Sequence, residues 1–202
     1  MRALIVAQTN LHGACCVGGL LRDTNENVRL MTATGDHQPL DTPYKVGQIW
    51  EIKYRKADRL KPPHIEDILV EKATCLGRVR DIEETLLDRV KIWYGRPNNL
   101  FESLIRFTKS GSGYVSQIAG LPTQSVGFWR TDKPLYKFMN DYDKRRYRSN
   151  DYPLKITYVG TDTPTEVIPA DTLLRVSLAR WWKPDNSKVE PRCYLQLSGW
   201  YL

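Results

Sequence analysis

Cations and tyrosines are mixed in residues 141–152, DYDKRRYRSNDY, and no aliphatic residue interrupts them. Positive side chains can neutralise the phosphates of a nucleic acid, and aromatic rings can stack on its bases. The residues suited to these roles are Lys144, Arg145, Arg146 and Arg148 for charge, and Tyr142 and Tyr147 for stacking. The segment therefore predicts a nucleic-acid-binding loop, with an ordinary solvated loop as the alternative.

The charge of the whole chain agrees with a polyanionic partner without requiring one. The net charge is +7, and most of the excess lies in residues 101–202, which carry 15 Lys and Arg against 10 Asp and Glu. Within residues 136–155, six Lys and Arg face three Asp. A basic surface of this kind is the electrostatic signature expected of a nucleic-acid-binding protein.

Two adjacent tryptophans form a second candidate site. Trp181 and Trp182 cannot both point inwards from one strand, because neighbouring side chains in a strand alternate between its faces. Arg180 and Lys183 flank the pair, so the exposed ring, which we take to be Trp182, would have cations beside it. The pattern predicts a platform for base stacking, and packing between domains is the alternative.

Catalysis and metal binding have little support in the sequence. His64, Glu66 and Asp67 lie close together in PPHIED, but consecutive residues of a strand face opposite ways and no second acidic cluster completes a site. His12 and Cys15 lack the two further ligands that zinc needs. The motifs GxSxG, HExxH and GxGxxG are absent. We therefore expect a non-catalytic protein without metal or cofactor; a Mg²⁺-dependent nuclease using Glu66 and Asp67 is the minority alternative.

Apolar runs, the N-terminal residues and the cysteines indicate the cellular compartment. No apolar run reaches the length of a membrane span, and the N-terminal MRALIVAQTN alternates like a strand rather than a signal peptide. Four cysteines show no CxxC spacing, which predicts reduced thiols with at least one in the core. These features predict a cytoplasmic protein with no membrane partner.

Local patterns predict a mostly β protein with two small β-barrels joined by a short helical connector. In QIWEIKY, Trp50 and Ile52 alternate with charged residues, which indicates a strand with one buried face. Apolar residues at helical spacing predict a helix over 80–94 with Trp93 on its buried face, followed by a second helix in NLFESLIRF. The glycine-rich stretch 107–117 is predicted to be a flexible linker. The predicted domains are a first barrel at 1–72, a connector at 73–108 and a second barrel at 109–202.

Three stretches together resemble the dual OB-containing domain family, bacterial proteins that join two oligonucleotide-binding barrels in one chain. They are GACCVGGLLRDTNENVRLMTATGD at 13–36, VGQIWEIKYRKADRLKPPHIEDILV at 46–70 and LARWWKPDNSKVEPRCYLQLSGWYL at 178–202. The resemblance implies a tandem OB-like fold and a role linked to nucleic acid, often in anti-phage defence settings. It implies no catalytic residues.

Two hypotheses follow for the function. In the first, the chain binds single-stranded DNA or RNA through Lys144, Arg145, Arg146, Arg148, Arg180 and Lys183 for phosphates and Tyr142, Tyr147 and Trp182 for bases. In the second, it is an adaptor or interaction subunit whose exposed aromatic residues hold another protein.

Overall fold

A computed structural model describes residues 1–11, 13–139, 145–185 and 188–201. The chain divides into two compact units, Met1–Lys91 and Ile92–Leu202. Nearly all of the regular structure is β-strand, which confirms the predicted fold class.

Five strands of the first unit close into a barrel in the order β1-β2-β3-β5-β4. The strands are β1 (Arg2–Leu11), β2 (Ala14–Leu21), β3 (Asn27–Met31), β4 (Gln48–Lys56) and β5 (Asp67–Arg78). Strand β1 contacts both β2 and β4, and its register shifts between Ile5 and Ala7, where a bulge bends the strand. Only β3 and β5 run parallel. A small five-stranded barrel of this kind is OB-like.

Alternating apolar residues fill the first barrel, as the pattern in QIWEIKY predicts. Trp50 and Ile52 of β4 are buried, and the Trp50 ring meets the Tyr44 ring edge-on at 4.7 Å between centroids. The Trp50 Nε1–H donates to Gln48 Oε1 over 3.0 Å, so the polar group of the ring is satisfied. The prediction that Trp50 is a core residue is confirmed.

The predicted helical connector is mostly not helical. Strand β5 continues through residue 72 to Arg78, and the only α-helix, among the residues that the structure describes, is α1 (Ile82–Leu87), which Asp81 caps by accepting from the Glu84 N–H at 2.9 Å. The chain then forms β6 (Ile92–Tyr94) where the helix was predicted to continue. The helix predicted over 80–94 is therefore wrong. Its apolar spacing also fits a short helix followed by a strand, because both arrangements can bury the same side chains.

The second predicted helix is also absent. A 3-10 turn occupies Pro97–Asn99, and Phe101, Glu102 and Ser103 all have positive φ angles near 50–63°, a conformation that ends helices. The glycine-rich stretch predicted as a linker is instead a hairpin of β7 (Arg106–Phe107) and β8 (Gly113–Ser116), whose loop is closed by the Gly111 N–H donating to the Thr108 carbonyl at 2.9 Å.

The second unit holds a ten-stranded sheet whose main path is β13-β10-β11-β12-β15-β14-β9-β6, with the β7–β8 hairpin paired to β15. A further 3-10 turn, Gln117–Ala119, follows β8. The remaining strands are β9 (Val126–Arg130), β10 (Leu135–Met139), β11 (Arg145–Arg148), β12 (Lys155–Tyr158), β13 (Val167–Ile168), β14 (Leu173–Leu178) and β15 (Arg192–Tyr201).

The connectivity of the first barrel recurs in this sheet. Strands β12 and β15 form a parallel pair, as β3 and β5 do, and β14 lies on the far side of β15, as β4 lies beside β5. Strand β9 pairs with β14 while β10 pairs with β11, so the two short strands share the role that the single bent β1 has in the first unit. The break between them contains Pro134, which has no N–H for a ladder.

Large buried rings form the core of the second unit. Trp93 of β6 packs on Phe101 at 4.8 Å between ring centroids, and a Cβ at Gly127 would lie 2.1 Å from the Trp93 ring, so only glycine leaves room for the indole. Trp129 is fully buried and donates its Nε1–H to the Gly95 carbonyl at 2.7 Å. Trp93 is therefore a core residue, as predicted, although it lies on a strand rather than a helix.

Candidate nucleic-acid interface

Strand β11 divides the predicted basic segment between two faces of the sheet. Tyr147 points into the core and is fully buried, while Arg146 and Arg148, its neighbours in the strand, point outwards. The Tyr147 hydroxyl donates to the Thr165 carbonyl at 2.7 Å, and burial raises the pKa of the phenol. The ring has no face free for a base, so the predicted stacking role of Tyr147 is corrected: strand alternation turns it inwards.

Three outward cations cluster on β11 and β12. In the strand register Arg146 pairs with Thr157, and Arg148 pairs with Lys155. The guanidinium carbon of Arg148 lies 5.8 Å from the centroid of the Phe138 ring on β10, a cation–π contact. Arg146 has a buried Nε with no acceptor among the described residues. Arg145, at the start of β11, is exposed.

Aromatic rings continue the same face along β15. Tyr194 points outwards because Cys193 and Leu195 on either side are core residues. Its ring lies 6.1 Å from the Tyr114 ring on β8 and 6.0 Å from the Trp182 ring. Sequence inspection missed Tyr114 and Tyr194, although alternation in RCYLQL is a signal that could have found the second.

The loop between β14 and β15 supplies the second predicted cluster. Trp182 is 55% exposed, whereas Trp181 packs against the core, so the prediction that one ring of the pair faces solvent is confirmed. Backbone hydrogen bonds of 3.0 and 2.8 Å between Trp182 and Arg192 fix this loop to the start of β15. Arg180 and Lys183, beside the tryptophans, are exposed.

Arg192 adds charge among these rings. Its guanidinium carbon lies 4.0 Å from the Tyr114 ring centroid, a close cation–π contact, and its Nε approaches a Glu190 carboxylate oxygen at 3.4 Å. We call the outward surface that these strands and this loop form the platform. Its members are Tyr136, Phe138, Arg146, Arg148, Lys155, Thr157, Gln196, Tyr194, Tyr114, Arg192 and Trp182.

The remaining predicted residues, Tyr142 and Lys144, lie outside the described residues. They belong to the segment between β10 and β11. In OB folds the loops after the first and fourth strands border the ligand-binding face. In the second unit β14 holds the fourth-strand position, and the loop that follows it contains Arg180, Trp182 and Lys183.

The acidic cluster considered as a metal site has a structural role. Asp67 accepts hydrogen bonds of 2.6 Å from both Nε and Nη2 of Arg29, a bidentate pair. His64 and Glu66 are buried. Across residues 1–11, 13–139, 145–185 and 188–201, no group of three or more His, Cys, Asp or Glu side chains is arranged to hold a metal ion.

The thiols differ in environment. Cys15 and Cys193 are buried, Cys16 is half-buried and Cys75 is exposed, and all four are free. Burial raises the pKa of Cys193 to about 12 and raises that of Cys15 as well. The expectation that at least one thiol lies in the core is confirmed.

Comparison with known proteins identifies one family. A family model described as a dual OB-containing domain matches residues 1–200. Searches of curated proteins and of solved structures give no match. Among the described residues, no helix is long and apolar enough to span a membrane.

Proposed function

Because the chain belongs to the dual OB-containing domain family, we propose that it is a non-catalytic module that binds single-stranded nucleic acid across the platform of its second unit. The observation that carries the proposal is the interleaving of cations and rings on one sheet face. Arg146, Arg148 and Lys155 lie on two adjacent strands, and Tyr194 and Trp182 lie within ring-contact distance of each other beside them.

In this proposal the cations contact phosphates and the rings stack on bases. Arg148 and Arg192 are already positioned over aromatic rings, which holds their guanidinium groups on the outer surface. Arg180 and Lys183 extend the positive field from the loop after β14, and Arg145 extends it from the start of β11. Lys144, which lies outside the described residues, is proposed as a further phosphate contact. Such a surface tolerates many sequences, since every base offers a ring face and every nucleotide a phosphate.

The test is a titration of fluorescently labelled single-stranded DNA and RNA of about 15 nucleotides, a length within the range that one OB fold covers. Anisotropy is measured at about 50 mM and about 200 mM salt, because phosphate contacts weaken steeply with salt. We expect binding at low salt that falls at high salt. The absence of binding to both nucleic acids at low salt would sink the proposal.

A ring substitution links the binding to the platform. Replacing Trp182 with alanine removes a stacking surface worth about 1–3 kcal/mol per base, which corresponds to a loss of affinity of about fivefold or more. Tyr94, which is 60% exposed on β6, supplies the matched control, since it is a solvent-facing ring outside the platform. Equal losses from Trp182→Ala and Tyr94→Ala would contradict the assignment of the site.

An adaptor role is the second candidate, and exposed apolar residues favour it. Ile118 is 83% exposed and Leu121 is 45% exposed, and both lie in the stretch that follows β8. Isolated exposed apolar residues are common, but this stretch follows Ser116, whose strand partner Arg192 pairs in turn with the exposed Trp182. Trp and Arg are typical of protein-binding hot spots. A protein partner that is retained by the wild-type chain and lost on Ile118→Ser, with nucleic-acid binding unchanged, would support this role.

A place in anti-phage defence is the finer proposal that the family resemblance adds. Its test is the plating efficiency of phage on bacteria that express the wild-type chain in its native gene context, compared with the Trp182→Ala and Tyr94→Ala variants. We expect protection to follow nucleic-acid binding, so that only Trp182→Ala loses it. Equal plating with and without the gene would remove the defence role and leave the binding proposal standing.

A further inference from the structure

The centre of the platform carries uncharged polar side chains between its cations and its rings. Thr157 of β12 and Gln196 of β15 are partners in the parallel ladder and both point outwards, because Ile156, Leu195 and Leu197 beside them are core residues. On the side of β12 away from β15, Arg146 of β11 is the strand partner of Thr157.

The distances fit the dimensions of one nucleotide unit. Neighbouring strands are about 4.8 Å apart, so Arg146 lies about 10 Å from Gln196 across two strand spacings. Tyr194 lies two residues along β15, about 7 Å from Gln196. A base stacked at Tyr194 could therefore turn an edge towards Gln196 while its phosphate approaches the cations of β11.

The amide of Gln196 is available for a ligand. Within the described part of the chain its side chain makes no hydrogen bond and is half-buried, whereas the hydroxyls of Ser177 and Ser198 nearby bond each other at 2.7 Å. An amide offers one donor and one acceptor side by side. Gln196 is thus a neutral, directional group on a surface that otherwise offers charge and ring faces.

Adenine matches such an amide on two edges. Its N6–H group and N7 form a donor and an acceptor on the Hoogsteen edge, and the same N6–H group with N1 forms another such pair on the Watson–Crick edge. Guanine presents two acceptors, O6 and N7, on its Hoogsteen edge, and the amide cannot satisfy both. Cytosine presents only its N4–H donor and thymine only its O4 acceptor on that edge. Among the Hoogsteen edges, only that of adenine therefore places a donor beside an acceptor for the amide.

We propose that Gln196 reads one base of the bound strand by its Hoogsteen edge, assisted by the Thr157 hydroxyl, and that it favours adenine. This inference rests on the proposed function, because it needs a strand on the platform. It adds a specificity-determining residue to a surface whose other contacts are insensitive to sequence.

The experiment compares labelled oligo(dT) with strands in which every third base is replaced by adenine or by cytosine, so that any binding register offers the base to Gln196. The readout is the ratio of affinities for the adenine-containing strand and for oligo(dT). We expect a ratio on the order of 5- to 100-fold for the wild-type chain, the range of one good bidentate base contact.

Two substitutions test the chemistry of the amide. Gln196→Leu removes both polar groups and should bring the ratio to about one while binding to oligo(dT) persists. Gln196→Glu keeps an acceptor without the donor and should also lower the ratio, since an adenine ring nitrogen then lacks its partner. Gln117→Leu, at an exposed glutamine outside the platform, should leave the ratio at the wild-type value. Thermal unfolding confirms that each variant is folded.

The outcomes separate the two proposals. Binding of all strands with equal affinity by the wild-type chain would overturn the role of Gln196 and leave the proposed function intact. A wild-type preference that survives Gln196→Leu would also overturn it. Failure to bind any strand at low salt would overturn the proposed function itself, and the inference with it.

Discussion

Neutralising the three cations of β11 and β12 should change the salt dependence of binding by a calculable amount. The variant replaces Arg146, Arg148 and Lys155 with glutamine. Each phosphate contact on a single strand contributes about 0.7 to the slope of log K against log salt, so three contacts contribute about 2. Between about 50 and 200 mM salt, a slope difference of about 2 reduces the ratio of wild-type to variant affinity by roughly 18-fold.

The structure indicates that this variant stays folded. Arg148 loses its cation–π contact with Phe138, which is worth about 0.5–1 kcal/mol at an exposed site. The buried Nε of Arg146 has no acceptor among the described residues. Replacing Arg146 therefore leaves no hydrogen-bond partner unpaired. We therefore expect a small decrease in Tm, measured by circular dichroism, and no change in the far-ultraviolet spectrum.

The assay is an anisotropy titration with oligo(dT) at four or more salt concentrations. The control variant carries glutamine at Lys72, Arg80 and Lys91, exposed cations of the first unit, so both variants lose the same net charge. We expect the control to keep the wild-type slope. A platform variant that binds with the wild-type slope would show that these cations make no phosphate contacts, and an equal fall in both slopes would show that only total charge matters.

Three further predictions test the core and the thiols. Tyr147→Phe should lower the free energy of unfolding by about 1 kcal/mol, because it loses the hydrogen bond to the Thr165 carbonyl. Tyr147→Ala should lower it by about 3–5 kcal/mol, because it also empties part of the core. Both are measured by unfolding in urea, and wild-type stability of Tyr147→Ala would contradict the burial of the ring. Gly127→Ala should destabilise by about 1–3 kcal/mol or more, because its Cβ would lie 2.1 Å from the indole packed on it, whereas Gly199→Ala, with open space at the Cβ, should not. Iodoacetamide at pH 8 should alkylate the exposed Cys75 in the native chain and spare Cys193, whose burial raises its pKa to about 12. Mass spectrometry of tryptic peptides measures both modifications, and faster alkylation of Cys193 than of Cys75 would contradict the prediction.

Strand patterns with apolar residues were predictable because they depend only on neighbours in the sequence. In β4 the alternation of Trp50 and Ile52 with charged residues marks one buried face, and the structure places both in the barrel core. The same rule fails where a strand has no aliphatic residue. In RRYR of β11 the buried residue, Tyr147, has arginines on both sides. Because the segment has no aliphatic residue, its sequence resembles that of a solvated loop.

Helical spacing gave a wrong prediction for a related reason. Ile82, Leu86, Val90 and Trp93 fit a single helix, but only the first two lie in α1, and Trp93 belongs to a strand paired with β9. Tertiary pairing outweighs a local period when a short helix and a strand can bury the same side chains.

The platform could not be predicted as a unit because its members meet only through strand register. Tyr114, Arg146 and Gln196 come from three separate stretches, and their adjacency depends on β8 and β12 both pairing along β15. No local signal in the sequence encodes that pairing. The two clusters that sequence inspection did identify are those in which cations and aromatic residues are already neighbours along the chain.

The two units differ at one equivalent position, and this difference is the reason for proposing the second unit as the one that binds. The parallel ladder begins with Arg29 and Asp67 in the first unit and with Thr157 and Gln196 in the second. The first pair is closed by two hydrogen bonds of 2.6 Å, so its charge is neutralised within the protein. The second pair is neutral, and in our proposal its hydrogen-bonding groups are the ones that a ligand uses. The same position of the ladder is thus occupied by an ion pair in one unit and by two neutral polar side chains in the other.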